Sequence, residues 1–370
     1  YFFYAKENKE WLFTENETNQ ALLFGTPNAG PYVKDAFHRY LVEKEQKAIN
    51  PAQVGTKCAA HFYKLVQPQE VWKIQLRLSE KKQTAPFKNF DEIFITRKKE
   101  ADLFYKELHA SHLTQEEKKI QREALSSLLW SKQIYYYDLE QWLHGDPIHP
   151  VERQISRNKS WIHLTNFDVI SMPDKWEYPW YASWDLCFHA IALVMVDADF
   201  AKRQLTLITR EWYMHPNGQL PAYEWNFSDV NPPVLAWPAW RVYKIDYKLN
   251  GKKDVEFLER LFHKLLLNFT WWVNQKDLFG NNVFQGGFLG LDNISIFDRS
   301  NLAIEGHIDQ ADGTAWMGFY WTLMMKISIE LSRTNSNYQD CATKFFEHYL
   351  RIASAMILPE SKGYALWNEE

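Results

Sequence analysis

The period of the apolar positions changes once along the chain. Up to about residue 85 they form short aromatic and β-branched runs at 2–4, 11–14, 61–65 and 71–78, and these read as strands. Val71-Trp72-Lys73-Ile74-Gln75-Leu76-Arg77-Leu78 alternates apolar with polar, which predicts a half-buried sheet. Loops at 25–31 and 48–55 are punctuated by Gly, Pro and Asn. Because so few strands close a sandwich poorly, residues 1–85 are expected to be the C-terminal part of a β-sandwich domain.

Beyond that point the period is helical. Residues 86–113 read as a charged helical linker, and Thr114-Gln115-Glu116-Glu117 opens a long helix through Trp130 with a capping-type start. Helices are then predicted over 184–200, 202–213, 233–247, 254–274, 311–332 and 338–356, with proline in the first turn of the 233–247 helix. Paired helices with alternately short and long connections predict a mainly α architecture. It is an (α/α)6 toroid over 114–370, with the long loops at one end forming the site. Six pairs need twelve helices, so the toroid is expected to be incomplete at its C-terminal side.

Composition sharpens this picture. The chain has 370 residues, 46% hydrophobic, with 17 Trp and 19 Tyr, an aromatic excess that suits either a large-residue helical core or a sugar-stacking cleft. A net charge of -4 gives no reason to expect nucleic acid, and no apolar run reaches membrane-spanning length. Cys58, Cys187 and Cys341 show no metal spacing or paired framework and read as buried thiols of a reducing compartment. With no signal pattern at Tyr1-Phe2-Phe3-Tyr4, a cytoplasmic location is expected; the start without Met and the end at Glu370 suggest a piece of a longer polypeptide.

Chemistry concentrates in three loops. The first, residues 176–189, sets Tyr178, Trp180 and Trp184 ahead of Asp185, an aromatic floor with a carboxylate for sugar hydroxyls; Ser183 or Asp185 as a simple helix cap is the alternative. His189, one turn on, reads as a satisfied core histidine. The second, residues 220–241, alternates Glu224 and Asn226 with aromatics and leads to Trp237 and Arg241. Arg241 either forks onto a substrate or pairs with Glu224 or Asp229. The third stretch runs from Gln285 to Trp316. There Asp292 sits among Gly286, Gly287, Gly290, Phe288, Leu291 and Phe297, neighbours that would raise its pKa as a general acid requires; an Asx turn is the alternative. Gln310 and Asp312 would hold hydroxyls, brace Asp292 or cap a helix.

These strings, with Glu15-Asn16-Glu17-Thr18-Asn19 and Pro31-Tyr32-Val33-Lys34-Asp35, resemble glycoside hydrolase family 63, the α-glucosidases related to trehalases and glucoamylases, over nearly the whole chain. The resemblance implies a β-sandwich followed by an (α/α)6 barrel and hydrolysis with inversion. Gly290-Leu291-Asp292-Asn293 is similar to the loop bearing the family's catalytic acid, and Trp184-Asp185 to the pair that grips the sugar in the cleaved subsite. The general base of such enzymes is expected beyond residue 370, and Glu369 and Glu370 match an element upstream of it.

The expectation is an inverting α-glycosidase acting on an oligosaccharide or small glycoside, with no metal and no cofactor. A glucosylglycerate or mannosylglycerate hydrolase, with Arg241 reading the acid, and a non-catalytic sugar-binding fragment are the alternatives.

Overall fold

A computed structural model describes residues 1–7, 10–145, 158–162, 164–172, 174–224, 227, 230–275, 284 and 313–357. They fall into two compact units, Tyr1–Lys106 and Glu107–Glu370.

The first unit holds β1 (Phe2–Ala5), β2 (Glu10–Thr14), α1 (Gln20–Phe24), α2 (Ala36–Leu41), β3 (Lys57–His61) and β4 (Leu76–Ser79), followed by α3 (Phe90–Leu108), which spans the division. Strand β1 pairs antiparallel with β4, and β2 with β3 in the register Glu10↔His61 to Thr14↔Lys57. The buried Thr14 hydroxyl donates to Val33 O at 2.9 Å, tying the second ribbon to the loop before α2.

Two strand expectations need correction. The run at 61–65 is a strand only up to His61, and of 71–78 only the end is strand. Its alternation is real but faces the other way, with Leu78 68% exposed and Gln75 9%. Arg77 turns inward to partners, its guanidinium donating to Pro86 O at 2.8 Å and to Asn89 Oδ1 at 3.0 Å, whereas the Gln75 side chain has only its amide nitrogen paired, to Asp91 at 3.5 Å, and its oxygen is buried without a partner among the described residues. Period reports the strand; it does not say which face is wet.

In the second unit α4 (Gln115–Trp130) opens on the reciprocal capping box that its sequence announces, between Thr114 and Glu117. An antiparallel ribbon of β5 (Lys132–Asp138) and β6 (Thr165–Ser171) follows, with α5 (Leu139–His144) between its strands. Then come α6 (Ser183–Leu193), α7 (Ala198–Leu207), α8 (Ala236–Asn250), α9 (Val255–Val273), α10 (Gly313–Ser332) and α11 (Tyr338–Ile357). The helix expected over 184–200 ends at Leu193, because the buried Val194 is followed by Asp197, whose carboxylate caps α7 by accepting from Phe200 N–H at 2.9 Å. Helix α8 starts after Pro232 and Pro233, and the proline in its first turn is Pro238, where no helical N–H is lost.

Helices α6 and α7, α8 and α9, and α10 and α11 pack as successive hairpins; α8 also touches both α6 and α10, and α7 touches α9. Sequence explains the two rows. Helix α10 carries only Lys326 and Glu330 as charged residues and is buried around most of its circumference, whereas α9 and α11 have one apolar stripe and one polar face. Core aromatics Phe262, Tyr320 and Trp321 are essentially inaccessible, and each contributes on the order of 2–3 kcal/mol of apolar burial. Lys202 locks α7 to its neighbours through Asp246 at 2.6 Å and Asp254 at 2.7 Å. The fold is mainly helical, and none of the described helices is long and apolar enough to cross a membrane.

Cys58 is exposed rather than buried, Cys187 is buried, and all three thiols are free.

Candidate functional site

The starts of α6, α8 and α10 converge through their aromatic residues. Trp184 meets Trp316 edge to face at 5.1 Å, and Phe188 meets Trp237 at 5.4 Å. Around them Phe188, Val234, Trp237, Ala315, Trp316 and Phe319 line an apolar cavity of about 450 Å³. Trp237 lines it directly, and Trp184, from a different loop of the sequence, packs on its lining residues Phe188 and Trp316. Tyr178 and Trp180 pair edge to face at 5.2 Å, with Tyr178 exposed and Trp180 half-buried against the core.

The first and second loops are stitched together before α6 begins. Ala182 bridges to Tyr223, Ser183 N–H donates to Ala222 O at 3.0 Å, and the buried Ser183 hydroxyl donates to Pro221 O at 2.8 Å. The capping alternative is therefore set aside for Ser183, whose hydroxyl is spent on the neighbouring loop, and the cap position is Ala182, with no side-chain cap bond; Asp185, in the first turn, still bonds its own backbone N–H.

Two residues absent from the sequence reading hold the second loop from behind. Asn158, with φ 67°, donates through its amide to Glu224 O at 2.6 Å and accepts from Phe227 N–H at 2.8 Å. Tyr135 of β5 donates its hydroxyl to the Glu224 carboxylate. Upstream, Gly218 has φ +93° and lies so close to α9 that a Cβ would sit 2.2 Å from Leu267 O; its own carbonyl accepts from the buried Asn268 amide at 2.9 Å.

Burial dominates the electrostatics here. It pushes the Glu224 carboxyl up to about 7, despite the hydroxyl donated to it. Asp185 is also raised, by burial first, even though it sits in the first turn of α6 where its own backbone N–H and the helix end favour the carboxylate. Burial lowers His189 in turn, and the Asp185 charge opposes that shift. Among the described residues Arg241 forms no ion pair, so it does not pair with Glu224; it is exposed on α8. Asp229 lies outside the described residues.

The catalytic candidate Asp292 and the binding candidates Asn226, Gln310 and Asp312 also lie outside the described residues. What is described are Phe284 and Thr314, on either side of Asp292, Gln310 and Asp312 in the sequence. Phe284 N–H donates to the buried Thr314 hydroxyl at 2.9 Å, and the Phe284 ring packs on Trp321 at 5.8 Å. Phe284 is thereby held at the start of α10.

A larger cleft, about 860 Å³, lies along α7, α9 and β6, away from these helix starts. Its Lys132 and Lys202 are committed to Asp197, Asp246 and Asp254, and the cleft is also lined by Arg203, Arg210, Trp212 and Arg260. Among the described residues no three His, Cys, Asp or Glu are grouped to hold a metal ion.

Residues 178–337 match the family described as mannosylglycerate hydrolase MGH1-like glycoside hydrolase domain. That match likens residues 178–337 to a glycoside hydrolase domain and supports a glycoside hydrolase family. An uncharacterized protein of Saccharomyces cerevisiae is 49% identical over 362 residues, which cover 93% of this chain and 33% of that protein. The chain thus spans about a third of the relative's length. An uncharacterized conserved protein from Thermus thermophilus aligns at 16% identity and a TM-score of 0.36, over 50% of this chain and 59% of that one.

Proposed function

We propose that the chain is the glycosidase part of an inverting α-glycosidase of the family 63 type, built on an (α/α)6 toroid, in which Asp292 protonates the leaving oxygen. One observation carries the reading. Every candidate residue from Tyr178 to Asp312 lies within the stretch 178–337 that matches a glycoside hydrolase domain. The structure supports it by bringing Trp184, Asp185, Trp237 and Phe284 to one end of the α6, α8 and α10 row.

Chemically, an apolar wall of Trp237 and Trp316, with Trp184 packed on it, stacks on the C–H face of a sugar ring while Asp185 and Glu224 take its hydroxyls. Inversion needs a second carboxylate that activates a water on the opposite face, far enough from Asp292 to leave room for that water. Among α-glycosides, an α-glucoside is the first substrate class to examine. Loss of a general acid costs on the order of 100-fold or more, so Asp292→Asn in the full-length protein is expected to lower kcat by at least that factor. Turnover within a few fold of the parent would remove Asp292 from the role.

A second reading, a glycoside of glycerate, is favoured by the description of the matching family and by the exposed Arg241, which has no ion pair among the described residues. Its guanidinium fork suits a carboxylate. Arg241→Ala is then expected to impair glycerate-linked glycosides about tenfold more than neutral ones; equal losses on both would exclude this role.

A further inference from the structure

Two ion pairs set the α7 segment beside α9. Lys202 meets Asp254 at 2.7 Å, and Lys264 meets Glu211 at 2.8 Å. Their separations in sequence, 52 and 53, are nearly equal, so the two segments run parallel in one register. In that register Arg260 of α9 stands level with Leu207, and Arg203 and Arg210 lie about one helical turn to either side of it. All three arginines line the 860 Å³ cleft. None of them forms an ion pair among the described residues. Arg203 and Arg210 do act on Asp197 and Glu211, but those carboxylates are already held by Lys132 at 2.6 Å and Lys264 at 2.8 Å. Arg210 lies over the Trp212 ring at 5.2 Å, a contact that orients its guanidinium without neutralising it. The carboxylates of the cleft are compensated in other ways. Asp254 pairs with Lys202 and caps α9, and Asp168 accepts from the Tyr213 hydroxyl at 3.2 Å. Asp199 and Glu256 sit in the first turns of α7 and α9, where the helix end offsets their charge.

We propose that the cleft between α7 and α9 is a binding site for a sugar phosphate, with Arg203, Arg210 and Arg260 around the phosphate. Three guanidinium forks along one groove match the three free oxygens of a phosphate monoester, whereas a single carboxylate engages one fork fully. The cleft is far larger than one phosphate and falls in the range of roughly 300–1,000 Å³ that small-molecule sites occupy. Its remaining lining suits a hydroxylated ring. Asp199 and Glu256 accept hydroxyl protons, and the apolar Leu207 and Phe257 underlie a C–H face. The same two carboxylates repel a second anionic group, so a monophosphate is the class that fits. This site stands on the α7 and α9 geometry and is independent of the glycosidase reading.

The test is isothermal titration calorimetry of the full chain with glucose 6-phosphate, inorganic phosphate and glucose as probes. It is run in about 0.15 M salt, which screens diffuse attraction between exposed charges. Expected is saturable binding of glucose 6-phosphate, about tenfold tighter than that of inorganic phosphate, and no binding of glucose. Arg203→Gln and Arg260→Gln replace exposed side chains that form no ion pair among the described residues, so both variants are expected to keep the parent's melting temperature. Each is expected to weaken glucose 6-phosphate binding about tenfold. Failure of both phosphate probes to bind, or a Kd unchanged in both variants, would overturn the site. Equal affinity for glucose 6-phosphate and inorganic phosphate would overturn the sugar half of the assignment, and equal affinity for glucose and its phosphate would overturn the anionic half.

Discussion

Phe284 and Thr314 are joined by a buried hydrogen bond, backbone N–H to side-chain hydroxyl at 2.9 Å, across an |i−j| of 30 residues. The bond, with the Phe284 ring packed on Trp321 at 5.8 Å, holds Phe284 beside the first turn of α10.

Thr314→Val keeps shape and removes the acceptor, leaving Phe284 N–H buried without a partner. The expected cost is about 1–3 kcal/mol of stability, measured by urea unfolding, with a loss of glycosidase turnover larger than the stability loss explains. Unchanged stability would show that the bond is not formed in solution.

Glu224 gives stability a pH dependence of known sign. The unfolded chain releases this proton near the ordinary 4.5, while the folded protein holds it to about 7. Between those values the folded state binds more protons, so this carboxyl's contribution is fully present below pH 4.5 and is lost as pH rises through 7. Glu224→Gln cannot ionise and still accepts the Tyr135 hydroxyl. Relative to the parent it is expected to gain on the order of 1–2 kcal/mol between pH 5 and pH 8, a figure discounted for the side chain's partial exposure. Parallel pH profiles for the two proteins would show that the group is not held protonated.

Much of the helical unit is legible in the sequence, because its signals are local. Thr114 and Glu117 form the capping box their spacing announces, and the helix expected to open at Asp254 does so, with Asp254 as its cap. Long amphipathic runs such as 254–274 and 338–356 predict boundaries good to a residue or two. The break between α6 and α7 is expected too late, between 200 and 202, because Val194, Met195 and Val196 continue the apolar pattern through a turn that only Asp197 interrupts.

The ribbon of β5 and β6 is hidden for another reason. Tyr135 and Tyr137 face the core while Ile134 and Tyr136 face solvent, so neither face is polar and no alternation shows. With that ribbon go Tyr135 and Ser171, and with the loop beside it Asn158, the residues that hold Glu224 and His189 from behind. Such supports are distant in sequence from what they hold, as in the |i−j| of 89 for Tyr135 and Glu224, and no local pattern marks them. Candidate sugar-facing residues are easier to find, because tryptophans beside carboxyl groups stand out in any loop.

The central claim, an inverting α-glycosidase, is tested most directly by time-resolved proton NMR of the full-length protein with α-glucosides and glycerate-linked α-glycosides. The anomeric signal is followed before mutarotation mixes it. The account predicts that the β-anomer of the released sugar appears first. Initial release of the α-anomer, or no release from any member of either substrate class, would contradict it.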